Sequence, residues 1–362
     1  MSLPPYAIGL MSGTSLDGVD ASLVKFQPEL CLLNTIHLPF PTEISQELLL
    51  LNSPTQEELK RSKLAGIKLS QLYAAAVENL ITQSQTPRAS ICAIGCHGQT
   101  IRHCPDLGYT IQLGDPALLA ELTGLRVIAD FRSRDIAAGG QGAPLVPAFH
   151  SFIFKHPTKA RAIVNIGGIS NLTFLSPKRP VSGFDCGPGN LLMDAWINTI
   201  TGQPFDKDGD FASKGHILPS LLDKLLSHPF LSMRPPKSSG REAFKLEWLK
   251  SQLSGKEKPE DVQATLLEFT VASTIQALNM YYPECEELYA CGGGARNKML
   301  MKRFSANFIY VDTTESLGVD VQAVESYAFA WLARQTLENQ PGNLPEVTGA
   351  RHSCVLGAIY PP

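Results

Sequence analysis

Two short glycine-containing turns, each lying between two strand-like segments, constrain the fold of this chain more than any other feature. Residues 6–11 are apolar, residues 12–20 are small and polar, and residues 21–26 alternate between apolar and polar side chains. This pattern predicts a strand, a turn and a second strand. A similar pattern with a small-residue tip occupies residues 162–175. Two such hairpins, each opening one half of the chain, predict a duplicated fold.

Composition indicates a globular protein. The length of 362 residues favours two domains, and 44% apolar with 18% charged residues is enough to build sizeable cores. The net charge of -3, with lysine and arginine scattered, gives no basis for attraction to nucleic acid or an anionic membrane. No apolar stretch reaches the ~20 residues that span a bilayer, and the N-terminus lacks the pattern of a secretion signal. We therefore expect a cytoplasmic protein that binds neither nucleic acid nor membrane.

The cysteines do not predict a disulfide scaffold or a metal site. Eight cysteines in a chain of this length are too sparse for a disulfide framework. A cluster of cysteines and histidines at residues 92–104 has a spacing that fits no zinc pattern. Residues 90–96 instead predict a buried strand, in which a free cysteine behaves as a small apolar residue.

Strands and helices alternate through the first part of the chain, which predicts an α/β domain. Residues 55–83 have helical spacing. The side chains expected to face inward are Leu59, Ile67, Leu69, Leu72, Ala76, Val77 and Leu80. A polar linker at 156–159 marks the expected boundary between a first domain of residues 1–158 and a second of residues 159–362. Whether the last helix and the tail pack back on the first domain is left open.

The first turn carries hydroxyls, glycines and carboxylates. These residues are Ser12, Gly13, Thr14, Ser15, Asp17, Gly18 and Asp20. Backbone N–H groups and side-chain oxygens in such a turn can approach a phosphate and its metal, and carboxylates suit Mg²⁺. Asp-Gly is also common in ordinary hairpins. The second turn, Gly167-Gly168, makes a phosphate clamp the favoured interpretation of the pair.

Asp185 is the candidate general base. It lies in a glycine-rich segment, residues 183–190, ahead of a helix predicted near 190–201. A carboxylate at a strand end can take a proton from a nucleophile, and the helix N-terminus that follows favours anions. An N-capping role is disfavoured because Asp185 lies too far upstream of the helix.

A run of three glycines predicts a site for a flat ligand. Gly292, Gly293 and Gly294 follow an apolar strand, and a helix is predicted from about Asn297. Glycines permit a nucleobase or ribose to lie against the backbone. The G-x-G-x-x-G spacing of dinucleotide-binding proteins is absent, which disfavours that class.

Taken together, these motifs closely resemble the anhydro-N-acetylmuramic acid kinases, members of the superfamily of sugar kinases, actin and heat-shock chaperone ATPases. The segments that carry the resemblance are MSGTSLDGVD (11–20), HGQT (97–100), ADFRSRDIAAGGQGAPLVP (129–147), NIGGISN (165–171), FDCGPGNLLMDAW (184–196), PPKSSGRE (235–242), DVQATL (261–266), CGGGARN (291–297) and ESYAFAWLA (325–333). The resemblance implies an α/β fold of two duplicated ribonuclease-H-like domains, of the actin and sugar-kinase type, with an ATP and sugar cleft between them.

The resemblance also implies an activity. The family opens the 1,6-anhydro ring of anhydro-N-acetylmuramic acid with water and transfers the ATP γ-phosphate to O6. The products are N-acetylmuramic acid 6-phosphate and ADP, in peptidoglycan recycling. The implied cofactors are ATP and Mg²⁺, and the implied partners are small molecules. The oligomeric state is left open and includes a homodimer.

The resemblance also implies which residues form the site. Asp185 is the expected base for the attacking water, and Asp17 is expected near magnesium, through water. The residues expected to clamp the phosphates are Gly13, Thr14, Ser15, Leu16, Asp17, Gly18, Val19, Asp20, Gly167 and Gly168. Those expected at the nucleoside are Gly292, Gly293, Gly294 and Asn297, and those at the sugar are His97, Arg132 and Glu325. Cys186 stands where threonine is expected in this family.

Three alternatives stay open from the sequence. A sugar kinase of the same fold would deprotonate a sugar hydroxyl without opening a ring. A non-enzymatic nucleotide switch would hydrolyse ATP slowly without sugar. An α/β binding protein would not bind ATP at all.

Overall fold

The computed structural model describes residues 3–13, 15–239 and 243–362, so Thr14 and the end of the PPKSSGRE motif lie outside the described residues. In these residues the strands are β1 (Tyr6–Met11), β2 (Gly18–Lys25), β3 (Cys31–Pro39), β4 (Ile91–Cys96), β5 (Gln99–Cys104), β6 (Tyr109–Leu113), β7 (Val127–Ala129), β8 (Arg161–Ile166), β9 (Ile169–Leu175), β10 (Ser182–Pro188), β11 (Glu287–Cys291), β12 (Val311–Thr313) and β13 (Ala358–Tyr360). The helices are α1 (Thr42–Leu51), α2 (Glu58–Ser84), α3 (Pro116–Thr123), α4 (Ser133–Ala137), α5 (Val146–Phe154), α6 (Leu191–Thr201), α7 (Pro219–Leu226), α8 (Pro229–Ser232), α9 (Leu246–Gln252), α10 (Pro259–Tyr281), α11 (Lys298–Asn307), α12 (Ala323–Leu337) and α13 (Pro345–Thr348).

The chain divides into two compact units. The first comprises Met1–Phe149 together with Ala323–Pro362, and the second is His150–Gln322. The first unit therefore ends before the linker at 156–159, and it takes in the C-terminal segment that begins with α12.

The sheet of the first unit has the strand order β3-β2-β1-β4-β7-β13. β2 is antiparallel to both β1 and β3, β4 is parallel to β1 and β7, and β13 is antiparallel to β7. β1 and β4 are almost entirely buried, as expected for strands covered on both faces. Helix α12 packs directly on them. A Cβ at Gly9 would lie 1.8 Å from Ser326 O, and one at Gly95 would lie 2.0 Å from Phe329 O.

The sheet of the second unit repeats this plan. Its order is β10-β9-β8-β11-β12. β9 is antiparallel to β8 and β10, while β11 is parallel to β8 and β12. Order and directions match those of β3-β2-β1-β4-β7. The predicted duplication is confirmed at the level of sheet topology.

Long helices complete the cores. In the second unit, α10 is buried along most of its length, and its apolar side chains belong to a cluster with those of β8, β9 and β10. In the first unit, α2 buries Leu69, Val77 and Leu80, but Leu59 is 86% exposed and Ile67 is 38% exposed. The inward orientation predicted for these two residues is wrong, because Leu59 precedes the buried stripe of α2, which begins at Ala65, and Ile67 lies outside that stripe on the helix surface.

The cysteines of the chain, all of them within the described residues, form no disulfides, and several of them are buried. The predicted buried strand at 90–96 is β4, in which Cys92 and Cys96 are each 4% exposed. All eight cysteines are free thiols. Over the described ranges, no group of three His, Cys, Asp or Glu side chains is arranged to hold a metal ion. Of the helices described, none combines the length and hydropathy needed for a membrane span.

Candidate active site

Asp185 lies on β10 beside an irregularity in its pairing with β9. Its side chain is partly buried. The carboxylate Oδ2 accepts a hydrogen bond of 2.7 Å from the Ser239 N–H. The Asp185 N–H in turn donates to the Lys237 carbonyl at 3.1 Å. Residues 237–239, here called the strap, therefore fix both the backbone and the carboxylate of Asp185.

Burial raises the pKa of Asp185 to about 7, although the Ser239 N–H and the Lys237 ammonium oppose the rise. A base is most effective when its pKa lies near the working pH, because it is then both available and strong. The surroundings of Asp185 thus give this carboxylate the proton affinity of a general base at neutral pH. Such perturbed groups cluster at functional sites.

Cys186, the neighbour of Asp185, is a buried structural thiol. Its Sγ donates to the Ser170 carbonyl at 3.3 Å and lies 3.5 Å from Thr274 Oγ1. Burial raises the pKa of Cys186 to about 12. Since the thiolate is the reactive form of cysteine, Cys186 does not act as a nucleophile at neutral pH.

The second turn connects β8 and β9 and is tied to the start of α6. The Gly189 N–H donates to the Gly168 carbonyl at 2.9 Å, and the Asn190 N–H donates to the Gly167 carbonyl at 2.7 Å. A Cβ at Gly189 would lie 2.2 Å from Gly167 O. These two N–H groups ahead of α6 therefore hold the turn, and anion binding at the N-terminus of α6 stays a prediction.

The triple-glycine turn lies against the same end of the second unit's sheet. A Cβ at Gly292 would lie 2.3 Å from Asn165 Oδ1, and one at Gly294 would lie 2.3 Å from Ile166 Cγ2. Gly292 also has a φ of 80°, a left-handed conformation that favours glycine. Gly293 differs, because it is exposed and nothing approaches its added Cβ closer than 4.0 Å.

Asn297 has a structural role in the described residues. Its Oδ1 accepts a hydrogen bond of 3.0 Å from the Leu300 N–H and so caps α11. This is the ordinary use of asparagine at a helix start. Contact between Asn297 and a nucleoside stays a prediction.

The first turn, between β1 and β2, has exposed residues at its tip and buried residues where it joins β1. Ser15 and Asp17 are exposed, and Ser15 Oγ donates to Asp17 Oδ1 at 2.6 Å. Ser12 is 2% exposed, and its Oγ lies 2.7 Å from the Tyr73 hydroxyl. The Gly13 carbonyl accepts from Gln99 Nε2 at 3.1 Å. The exposed residues thus hold the oxygens available to a ligand, while the hydrogen bonds of Ser12 and Gly13 anchor the turn.

Two residues expected at the phosphates turn their side chains into the core. Leu16 is 7% exposed and Val19 is fully buried, both within the apolar cluster of the first unit. Leu16 has a φ of 60°, which is uncommon for a residue with a side chain. Only the backbone of these two residues is therefore suited to contact a ligand.

Asp20 and His37 form a pair next to the first turn. His37 Nδ1 lies 2.8 Å from Asp20 Oδ1, with both side chains partly exposed. The hydrogen bond to Asp20 raises the pKa of His37, against the effect of burial. A Cβ at Gly18 would lie 2.7 Å from His37 Cε1. Glycine at position 18 therefore leaves room for the imidazole ring.

His97, Arg132 and Glu325, the expected sugar-binding residues, come together within the first unit. Arg132 Nη2 and Nε lie 2.8 and 3.0 Å from His97 Nε2, and Nη1 donates to the Gly142 carbonyl at 2.7 Å. Burial and the Arg132 charge lower the pKa of His97 well below its usual value, so the ring is neutral and accepts at Nε2. Burial lowers the pKa of Arg132 to about 10, while Glu325 raises it. Arg132 therefore stays cationic at neutral pH.

Asp135 organises this region and was not anticipated from the sequence. Its fully buried carboxylate accepts hydrogen bonds from the Gly142 N–H at 2.7 Å, Asn343 Nδ2 at 2.6 Å and Thr348 Oγ1 at 2.8 Å. Asp135 thus holds the loop whose Gly142 carbonyl orients Arg132. Two of its partners, Asn343 and Thr348, are more than 200 residues away in sequence, so no local pattern joined them to Asp135.

Both units share the same order of five strands, and in each a glycine-containing turn follows the first strand, β1 or β8. This arrangement defines a protein of the actin-like ATPase and sugar-kinase fold. A family model described as anhydro-N-acetylmuramic acid kinase matches residues 5–362. This chain belongs to that family, and the resemblance inferred from the motifs is confirmed.

Individual relatives agree over nearly the full length. The anhydro-N-acetylmuramic acid kinase of Nitrosospira multiformis is 53% identical over 98% of this chain and 99% of its own length. That of Nitrosomonas europaea is 52% identical over 98% of this chain and 99% of its own. Among solved structures, a ROK family glucokinase from Streptomyces griseus in complex with glucose and AMPPNP is 12% identical with a TM-score of 0.44, covering 91% of this chain and 99% of that one.

Proposed function

We propose that this chain uses ATP and water to convert anhydro-N-acetylmuramic acid into N-acetylmuramic acid 6-phosphate and ADP. The chain is then a phosphotransferase with an alcohol acceptor, acting in peptidoglycan recycling. The name of its family, shared by relatives at 53% and 52% identity, supports this reaction. Within the chain, the observation that carries the proposal is Asp185, a carboxylate held by the strap with its pKa raised to about 7.

The reaction assigns Asp185 the role of general base. Asp185 takes a proton from water as the water oxygen bonds to the anomeric carbon. The bond between that carbon and O6 breaks, O6 bonds to the γ-phosphorus, and ADP leaves. Phosphoryl transfer itself needs positioning and charge neutralisation rather than covalent help from the protein.

The turn glycines support an ATP-binding role. Gly13, Gly167 and Gly293 have no φ in the left-handed region, and an added Cβ would lie 3.6 Å or more from any neighbouring group outside adjacent residues. Neither conformation nor packing requires glycine at these three positions. Close approach of a ligand to the backbone does explain them. We propose that a nucleotide approaches the backbone at these turns.

Mg²⁺ belongs to the proposal as the partner of ATP. The exposed carboxylate of Asp17, with the Ser15 hydroxyl beside it, provides the oxygen donors that Mg²⁺ prefers. Asp17 would hold the ion through water, and the ion would neutralise phosphate charge when bound. ATP as the phosphate donor also leads us to propose a cytoplasmic reaction. A homodimer stays a prediction.

For the sugar, we propose contacts with His97, Arg132 and Glu325. Arg132 supplies a cation already oriented by Gly142 and His97. The neutral imidazole and the carboxylate of Glu325 add hydrogen-bonding groups for hydroxyls and amide. These contacts would place the anomeric carbon for attack rather than take part in proton transfer.

Isotope-labelled water tests the proposal. The purified protein is incubated with ATP, Mg²⁺ and anhydro-N-acetylmuramic acid in H₂¹⁸O, and the product is analysed by mass spectrometry. We expect one label at the C1 hydroxyl and none in the phosphate. Phosphorylation without label at C1 would indicate a kinase that opens no ring. ATP hydrolysis that is independent of the sugar would indicate a nucleotide switch.

A further inference from the structure

Lys237 is an unusual residue in the described part of the second unit because its charged side chain is buried. It is 5% exposed. Its Nζ donates to the carbonyls of Phe230 and Leu231 at 3.1 and 3.0 Å. The ammonium also lies 4.8 Å from the centre of the Phe230 ring and 5.6 Å from that of Phe184. Carbonyl dipoles and ring faces offset part of the cost of burying the charge.

The side chain of Lys237 anchors the strap to α8. Phe230 and Leu231, which accept its hydrogen bonds, belong to this short helix. The backbone carbonyl of Lys237 accepts the Asp185 N–H, and two residues later the Ser239 N–H reaches Asp185 Oδ2. One residue thus connects a helix, the strap and the backbone of the proposed base.

We infer that Lys237 is a positioning residue for Asp185, which holds the Ser239 N–H on the carboxylate and favours its ionised form. This inference rests on the proposed role of Asp185 as the base. The Lys237 ammonium is directed at the carbonyls of Phe230 and Leu231, so we assign its effect on the reaction to Asp185.

The electrostatic surroundings agree with this role. Burial is the largest influence on Asp185, and the two groups that oppose it are the Ser239 N–H and the Lys237 charge. Cys186, the other titratable group acting on Lys237, keeps its proton because burial raises its pKa to about 12. From α10, Tyr281 packs its ring edge against Phe184, 5.2 Å between centroids. Loss of the Lys237 charge would therefore raise the pKa of Asp185 further.

The acid limb of the pH–rate profile tests the inference, since kcat/KM reports ionisations of the free enzyme. We compare the wild type with Lys237→Met, which keeps the length of the side chain and removes the charge and donors. We expect the acid limb to move up by about one pH unit, a tenfold loss of rate on that limb. At alkaline pH most of the rate should return, with the KM for ATP unchanged.

Two further variants separate charge from structure. Lys237→Arg keeps the cation and should return the acid limb toward its wild-type position. Lys224→Met removes an exposed lysine of α7 and should leave the profile unchanged. An equal loss of rate at every pH, or a limb that does not move in Lys237→Met, would overturn the inference.

Two variants at Ser239 test the inference where Lys237→Met does not fold. Ser239→Pro removes the N–H that reaches Asp185, whereas Ser239→Ala keeps it. Only the proline variant should move the acid limb upward, and equal profiles in the two variants would contradict the inference. Full activity of Asp185→Asn would instead remove the proposed role of Asp185 as the base, on which this inference rests.

Discussion

The two sheets share one plan, but they hold their first turns in different ways. In the first unit, the turn after β1 is held by side chains, such as Gln99 on the Gly13 carbonyl. In the second unit, the turn after β8 is held by the backbone N–H groups of Gly189 and Asn190. The shared topology thus determines where the turns lie, while local residues determine how each is fixed.

The third strand of each sheet shows a larger difference. In the first unit this is β3, where His37 is partly exposed and pairs with Asp20. In the second it is β10, where Asp185 is covered by the strap and its pKa is raised to about 7. The corresponding strand therefore carries a partly exposed histidine–aspartate hydrogen bond in one unit and the proposed base, with its raised pKa, in the other.

The largest expected effect comes from removing the base. Asp185→Asn should lower kcat by about 10²–10⁴-fold, the usual contribution of a general base. ATP affinity, measured by calorimetry, should stay near the wild-type value because the amide preserves the shape. Asp223→Asn, an exposed position on α7, is the matched control and should behave as the wild type.

A substitution at Arg132 tests the sugar contacts proposed for the first unit. Arg132→Met should raise the KM for the sugar by roughly 10–100-fold, since a hydrogen bond from a charged group contributes about 1.5–3 kcal/mol. The KM for ATP should change little. The neighbouring Arg134→Met, at an exposed position, is the control. An equal rise in both KM values would argue against a sugar-specific role.

Glycine substitutions separate ligand approach from packing. Gly13→Ala and Gly167→Ala should raise the KM for ATP about tenfold and change the free energy of unfolding by no more than about 0.5 kcal/mol. Gly95→Ala, whose Cβ would collide with α12, should lower that free energy by about 1–3 kcal/mol or more. Denaturant titration and steady-state kinetics measure the two effects. Strong destabilisation by Gly13→Ala would show that the fold, and not a ligand, requires that glycine.

The smallest effect is expected at His37. Because Asp20 raises its pKa in the folded state, His37 stabilises the fold at acid pH, and this contribution is lost as pH rises through the raised pKa. His37→Gln should therefore lower stability by about 0.5 kcal/mol or less at low pH, since both side chains are partly solvated. At about pH 9 the variant and the wild type should unfold alike. A deficit that persists at alkaline pH would mean that packing on Gly18 matters more than charge.

Much of the fold could be predicted from local patterns. Alternation and glycine turns predicted both hairpins, and β1–β2 and β8–β9 confirm them. The inward orientation predicted along α2 was wrong for Leu59, because periodicity predicts which face of a helix is buried but not where along the helix the core begins. Leu59 lies in the first turn of α2, beyond the reach of the sheet.

The candidate site was less predictable, because its geometry depends on contacts between distant residues. Asp185 was proposed from its glycine-rich setting, but burial raises its pKa, and the N–H that opposes this rise belongs to Ser239, more than 50 residues away in sequence. Lys237 and Asp135 act through partners that no local pattern joins to them. Asn297 caps α11 through its Oδ1, a role that was not predicted from the sequence, and its contact with a nucleoside stays a prediction.

Titration of the Asp185 carboxyl tests the central claim most directly. ¹³C NMR of protein labelled at aspartate carboxyl carbons, with Asp185→Asn to assign the resonance, gives the pKa in the free protein. We predict a midpoint near pH 7, because burial raises the pKa of this carboxyl. A midpoint at the ordinary aspartate value, about 3.9, would contradict the claim that this carboxylate is tuned to act as the base.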